Sequence, residues 1–126
     1  MTQRHSDRGA IVLEWVIVFP VLLLLVFGAV QTGLHFHART IASAAASEAV
    51  HAGSTVAGTT AAARTAAQQF IDTAGDGMFL DSRVEVTRTP TTITVTVRGH
   101  SLSLVPGVNT PEIRQVISGP IERPPA

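Results

Sequence analysis

The segment Ala10–Val30, with the sequence AIVLEWVIVFPVLLLLVFGAV, decides the fold of this chain. It is apolar except for Glu14. Its 21 residues would extend about 31 Å as a helix, at roughly 1.5 Å per residue. This length matches the ~30 Å thickness of the hydrocarbon core of a bilayer. The sequence therefore predicts one transmembrane helix over residues 10–30.

The distribution of basic residues predicts the orientation of this helix. Arg4 and Arg8 precede the apolar run, and the next basic residue along the chain is Arg39. Because positive residues accumulate on the cytoplasmic side of membrane segments, we expect the N-terminus inside and the rest of the chain outside. The predicted location is the cytoplasmic membrane, crossed once, with contact to lipid.

Beyond the apolar run the chain is rich in Ala and free of Pro as far as residue 74, which favours a helix that continues past the membrane. Gly and Thr residues within 53–60 predict a break. A second helix follows over Ala61–Ala74, with one apolar face and a stop at Gly75-Asp76-Gly77. The face comprises Ala63, Ala67, Phe70 and Ile71. The stripe Ala42–Ala46 has two possible interpretations. It packs against a partner helix, or it reflects only the high helix propensity of Ala; we favour packing.

After residue 82 the hydrophobic period changes to two, which indicates strands. Val and Ile alternate with polar residues over Arg83–Thr89 and Thr92–Arg98, and Thr-Pro-Thr between them predicts a turn. Leu102 and Leu104 suggest a short third alternation, Pro106-Gly107 another turn, and Glu112–Ile121 a last strand. The predicted fold class is α+β, with a small antiparallel sheet of three or four strands. We expect the helix at 61–74, as the amphipathic element available, to cover one face of the sheet.

Composition excludes several functional classes. The chain has no Cys, and its nine basic and nine acidic residues balance, so nothing indicates disulfides or a nucleic-acid partner. No nucleophile motif, phosphate loop, carboxylate pair or basic patch stands out, so we expect neither enzymatic activity nor a cofactor. His35 and His37 are two residues apart and point to different sides of a helix. With His51 or His100 they form no metal-ligand spacing, so no metal site is expected.

The most informative residues lie where the apolar run begins. Glu14 stands five residues after Gly9 and is followed by Trp15. A charged side chain within a membrane segment costs on the order of 3 kcal/mol at the bilayer centre and less near an interface, and such residues are by default functional. Pro20 removes a backbone donor and is expected to kink or locally melt the helix.

These residues give the chain its resemblance to a known family. Gly9 followed by Ala10, with Glu14 five residues after the Gly, resembles a type IV prepilin signal. Glu14-Trp15, Pro20 and Arg39 together resemble the TadE-like pseudopilins of tight-adherence (Tad/Flp) pilus systems, although Ser47 stands where that family usually has Arg. The resemblance covers about the first 50 residues, and it implies a pilin-like architecture for the chain.

The resemblance also implies a mechanism. A prepilin peptidase would cut between Gly9 and Ala10 on the cytoplasmic side, and the apolar segment would stay as the mature N-terminal helix. Glu14, beside Trp15, would pair with the new N-terminal amine of a neighbouring subunit, and Pro20 would mark a helix kink. The implied partners are the peptidase, other pseudopilins, the major Flp pilin and the inner-membrane Tad platform proteins. The implied function is that of a minor pilin-like subunit in assembly of a Tad/Flp pilus or related secretion apparatus.

The expected domains are a cytoplasmic leader at 1–9, the transmembrane helix at 10–30, an extracytoplasmic TadE-like domain at 31–121 and a disordered tail at 122–126. Two alternatives stay open. In the first, an unprocessed membrane-anchored domain has a binding role, and Glu14 is a tolerated interfacial carboxylate. In the second, the protein is secreted after cleavage of an ordinary signal peptide near Ala42-Ser43-Ala44, although the apolar run is longer than the usual ~7–15 residues.

Overall fold

The computed structural model describes the backbone of residues 2–122 and the side chains of residues 9–122. The predicted disordered tail, apart from Glu122, lies outside the described residues. The elements are two helices and three strands: α1 (Thr2–Ser54), α2 (Thr60–Ala74), β1 (Phe79–Arg88), β2 (Thr92–Ser101) and β3 (Glu112–Pro120). The predicted α+β class, with a long apolar first helix, a second helix and a small antiparallel sheet, is confirmed.

The chain divides into two compact units, Met1–Thr32 and Gly33–Ala126. In the first unit, every described side chain from Gly9 to Val30 is exposed. Over Gly9–Ser54 the chain has one helix that is long and apolar enough to cross a membrane by length and composition. Pro20 lies inside this helix.

In the second unit, local signals set the ends of α2. Thr59 is its N-cap, with an extended backbone, and its hydroxyl accepts a hydrogen bond from Ala62 N at 3.0 Å. At the other end Gly75 N donates to Ile71 O at 2.8 Å. The predicted break and the predicted stop at Gly75 are both confirmed. Ala63, Ala67 and Ile71 are buried, and Phe70 packs half-buried beside them.

The sheet is antiparallel with β2 in the centre, in the order β1-β2-β3. The inward side chains Ile93, Val95 and Val97 of β2 are fully buried. The turn at Thr89-Pro90-Thr91 is confirmed by the hydrogen bond from Thr89 N to Thr92 O, at 2.8 Å. The predicted turn at Pro106-Gly107 is also present, with Gly107 at φ 81°.

Two strand predictions were wrong. Leu102 and Leu104 form no strand, and the chain between Ser101 and Glu112 is an irregular connection. The connection is held by side chains instead: His100 Nδ1 lies 3.0 Å from Thr110 O, and Thr110 Oγ1 donates to Ser101 O at 3.0 Å. Strand β1 begins at Phe79, earlier than predicted, and a bulge between Leu80 and Arg83 interrupts its pairing with β2.

The bulge explains why the alternation in β1 could be followed only from residue 83. Residues 81 and 82 together face Gly99 alone, and Asp81 has a φ of 53°. An extra residue reverses which side chains face inward. Phe79 is therefore buried before the bulge, and Val84 and Val86 pack against the core after it.

The sequence predicted that α2 covers one face of the sheet, but α1 also covers part of this face. Its buried residues recur at helical spacing and belong to the same core as β2 and α2; they are Ala38, Ile41, Ala42, Ala45, Ala46 and Ala49. A Cβ added at Gly53 would overlap Ile93 Cδ1 and lie 2.9 Å from Ala63 Cβ. Of the Ala42–Ala46 stripe, Ala42, Ala45 and Ala46 are fully buried in the core of their own domain, so these three residues do not pack on a partner helix as favoured from the sequence.

Candidate functional site

Gly9 and Ala10 lie in α1, at the start of the apolar run. A Cβ added at Gly9 would meet no atom within 4 Å, and Gly9 has no positive φ. Within a helix, Gly is about 1 kcal/mol less favourable than Ala. Neither packing nor backbone conformation therefore requires glycine at position 9, and the residue costs helix stability.

Glu14 is exposed, and it makes no ion pair or hydrogen bond with any described residue. Ala10 and Glu14 are four residues apart in α1, so both lie on one face of the helix, about 6 Å apart along its axis. The side chains around Glu14 are apolar and exposed, with Leu13 at 63% and Trp15 at 61%. In a bilayer this carboxylate would lack a partner among the described side chains of its own chain.

Trp15 and Pro20 lie on a second face of the same helix. They line a shallow apolar hollow together with Val12, Val16 and Phe19. These five residues follow the i, i+3, i+4, i+7, i+8 spacing of one helical face. The structure thus places Trp15 and Pro20 together and leaves Glu14 outside this hollow, so the carboxylate and the hollow present two different surfaces. The roles of these residues stay predictions.

The sheet carries a second feature, which the sequence analysis missed. The face of the sheet turned away from the core, here called the open face, carries Arg83, Arg98 and Arg114 directly opposite one another in the cross-strand register. In the sequence these residues are far apart and form no basic patch. The pairing of Arg83 with Arg98 could have been inferred from the short β1–β2 turn. The pairing of Arg98 with Arg114 joins two strands separated by a long irregular connection and has no sequence signal.

Among the described residues, no group of three or more His, Asp or Glu side chains is placed to hold a metal ion. His35 lies edge-on to its neighbour Phe36, with ring centroids 6.2 Å apart. His100 is held by the carbonyl of Thr110 in the connection between β2 and β3.

Comparison with known proteins gives one finding. No curated protein matches the chain, and no solved structure matches it. The model of one family matches, and the match begins at Gly9 and ends at His51. It therefore includes Gly9, Ala10, Glu14, Trp15 and Pro20, together with the Ala-rich part of α1. Over residues 9–51 the chain matches the model of the TadE-like protein family, and the resemblance drawn from its residues is confirmed.

Proposed function

We propose that this protein is a minor pilin-like subunit that takes part in assembly of a Tad/Flp pilus or a related secretion apparatus after cleavage following Gly9. The TadE-like match suggests a Tad pilus-associated protein, and the long apolar N-terminal helix suggests membrane anchoring. The single observation that carries the proposal is Glu14, a carboxylate that has no ion pair among the described residues and lies among exposed apolar side chains at the start of this helix. The proposed role is structural and not catalytic.

Cleavage would supply a charged partner for Glu14. Hydrolysis of the Gly9–Ala10 bond leaves a positive amine at Ala10 and makes this residue the first of the helix. A carboxylate near a helix N-terminus is favoured by the helix dipole, and two charges that are costly in a bilayer become tolerable when paired. A subunit could satisfy its Glu14 with the amine of a neighbour, which would set the register of one helix against the next.

The exposed surface of the helix supports the same role. Every described side chain over residues 9–30 is exposed in the isolated chain, so this surface can contact lipid or other helices. The hollow formed around Trp15 and Pro20 gives a neighbouring helix an apolar face to pack against. We propose the peptidase, other pseudopilins, the major Flp pilin and the platform proteins as partners, with the N-terminus inside and the domain at residues 31–121 outside.

The mature N-terminus tests the cleavage step. Protein isolated from the membranes of its native host is measured by intact mass and N-terminal sequencing, and we expect a chain that begins at Ala10. Gly9→Leu should block cleavage. Nothing in the fold requires glycine at this position, so we expect that the peptidase requires it. Gly28→Leu is the matched control, since a Cβ at Gly28 also meets no atom within 4 Å; this variant should be cleaved normally.

Assembly is tested separately from cleavage. Glu14→Leu should insert into the membrane and be cleaved, but it should lose co-purification and cross-linking with other pilus subunits. Glu48→Leu, which removes an exposed carboxylate of α1 within the second unit, should keep both. A chain that starts at Met1 or Thr2 would identify an unprocessed membrane-anchored domain, and a start near residue 45 would identify a secreted protein. Either start, or full assembly of the Glu14→Leu protein, would refute the proposal.

A further inference from the structure

The open face of the sheet contains an arginine row, defined by Arg83 of β1, Arg98 of β2 and Arg114 of β3. Arg83 pairs with Arg98 and Arg98 pairs with Arg114 in the register, so the three side chains point to the same face. Strands lie about 4.8 Å apart, and the row therefore spans about 10 Å across the sheet. Three of the nine basic residues of the chain are collected on this one line.

Folding alone disfavours this arrangement. Like charges directly opposite each other on adjacent strands destabilise a sheet, and here the central Arg faces an Arg on both sides. Sequence choices that oppose the local rules of stability are expected at functional sites. The row is therefore evidence for an external anionic partner, whose binding would offset the repulsion.

The residues of the row are poorly neutralised within the chain. The Nε of Arg98 lies 3.9 Å from Oε1 of Glu112, which is too long for a hydrogen bond. This Nε is buried and makes no hydrogen bond to a described residue. Neither Arg83 nor Arg114 has an ion pair among the described residues, and both are exposed. A hollow at the Arg83–Arg98 end of the row is also lined by His100 and by two acidic residues, Asp81 and Glu112.

The acidic residues beside the row limit the shape of the partner. Glu112 stands opposite His100, two register positions from the row and next to it on the same face, and Glu85 stands opposite Thr96 at the same distance on the other side. These carboxylates would repel a broad anionic surface such as a lipid layer. A narrow chain that crosses the strands along the row would meet all three arginines and avoid Glu85, and it would compete with Glu112 for Arg98.

The chemistry of the face favours carboxylates on a protein segment. The guanidinium group presents a planar fork of donors that binds a carboxylate through two parallel hydrogen bonds. Next to the row, opposite the buried Thr96, lies the side chain of Val116, which is 49% exposed and offers an apolar contact to a peptide. We propose that the arginine row binds an extended acidic segment of a partner protein, with two or three carboxylates within about 10 Å.

The test uses the full chain in nanodiscs of zwitterionic lipid. The probe is a labelled, end-capped peptide of alternating Glu and Ser, and the control probe is the same peptide with Gln in place of Glu; binding is followed by fluorescence anisotropy. We expect binding of the Glu peptide alone, weakening as salt rises because exposed charges are screened beyond about 10 Å at 0.1 M. Arg98→Gln, and the pair Arg83→Gln with Arg114→Gln, should each weaken binding at least tenfold. Arg64→Gln, an exposed change on α2, should weaken it less than twofold.

Thermal unfolding of the same variants separates loss of a binding site from loss of the fold. Because the row is repulsive, its variants should unfold at the same temperature as the parent or higher. Equal binding by the row variants and Arg64→Gln, equal binding of the Glu and Gln peptides, or unfolding of the row variants at a clearly lower temperature would each overturn the proposal. Binding to phosphatidylglycerol vesicles without binding to the peptide would assign the row to lipid and also overturn it. None of these outcomes depends on cleavage at Gly9 or on filament assembly.

Discussion

Gly53 lies where α1 packs most closely on the sheet, and Gly53→Ala is the sharpest test of that packing. The new Cβ would overlap Ile93 Cδ1 and lie 2.9 Å from Ala63 Cβ, so Ile93 on β2 or the end of α1 must move. Overpacking of this kind costs typically about 1–3 kcal/mol. The gain in helix propensity from Gly to Ala is about 1 kcal/mol in a helix interior, and it is smaller in the last turn. We expect a net loss of about 2 kcal/mol.

This loss is measurable as a shift in the thermal midpoint. For a domain of about 60–100 residues, 1 kcal/mol corresponds to about 4–8 °C, so Gly53→Ala should lower the midpoint by about 8–16 °C. The assay is far-UV circular dichroism of the full chain in detergent micelles. Gly33→Ala is the matched control, because it also lies in α1 and its Cβ would meet no atom within 4 Å. This control should not destabilise the protein.

A double-mutant cycle identifies the atom responsible. Ile93→Val removes Cδ1, the atom that the new Cβ overlaps, and costs about 1 kcal/mol alone. If the packing is as described, the combination with Gly53→Ala should cost about 2 kcal/mol, about 1 kcal/mol less than the sum of the single changes. The relief is partial because Ala63 Cβ stays close. Additive losses, within the ~0.3–0.5 kcal/mol typical of independent sites, would refute the reasoning.

Three further changes test other parts of the fold by the same thermal assay. Thr59→Ala removes the hydroxyl that caps α2 and should cost about 1 kcal/mol; the exposed Thr65→Ala should cost much less. Asp81→Val should cost about 1–2 kcal/mol because Asp81 has φ 53°, whereas Asp81→Gly should be neutral or stabilising; equal losses would contradict the bulge. Val95→Ala, at a fully buried position of β2, should cost about 2–4 kcal/mol, and a loss under about 0.5 kcal/mol would place this residue outside the core.

Much of the local structure follows from the sequence because its causes are local. The break before α2 and its stop at Gly75 depend on capping residues that are neighbours in the chain. The alternation in Thr92–Arg98 requires only that one face of a strand be buried. The features at residues 9–20 were likewise visible, since the spacing of Gly9 and Glu14 at the start of an apolar run is a property of the chain itself.

Other features were decided only by the tertiary structure. Alanine has a high helix propensity whether or not it is buried, so the Ala-rich part of α1 gave no signal that it covers the sheet. The need for a small residue becomes visible only in the folded structure, where α1 closely approaches the sheet at Gly53. The bulge at Asp81 reverses the inward side of β1, and its position depends on pairing with β2. The arginine row exists because a register brings residues 83, 98 and 114 together. A register across a long irregular connection is set by burial of one face of each strand and not by the connection. The sequence alone therefore determined the secondary-structure elements and the N-terminal site. Packing determined which surfaces these elements present.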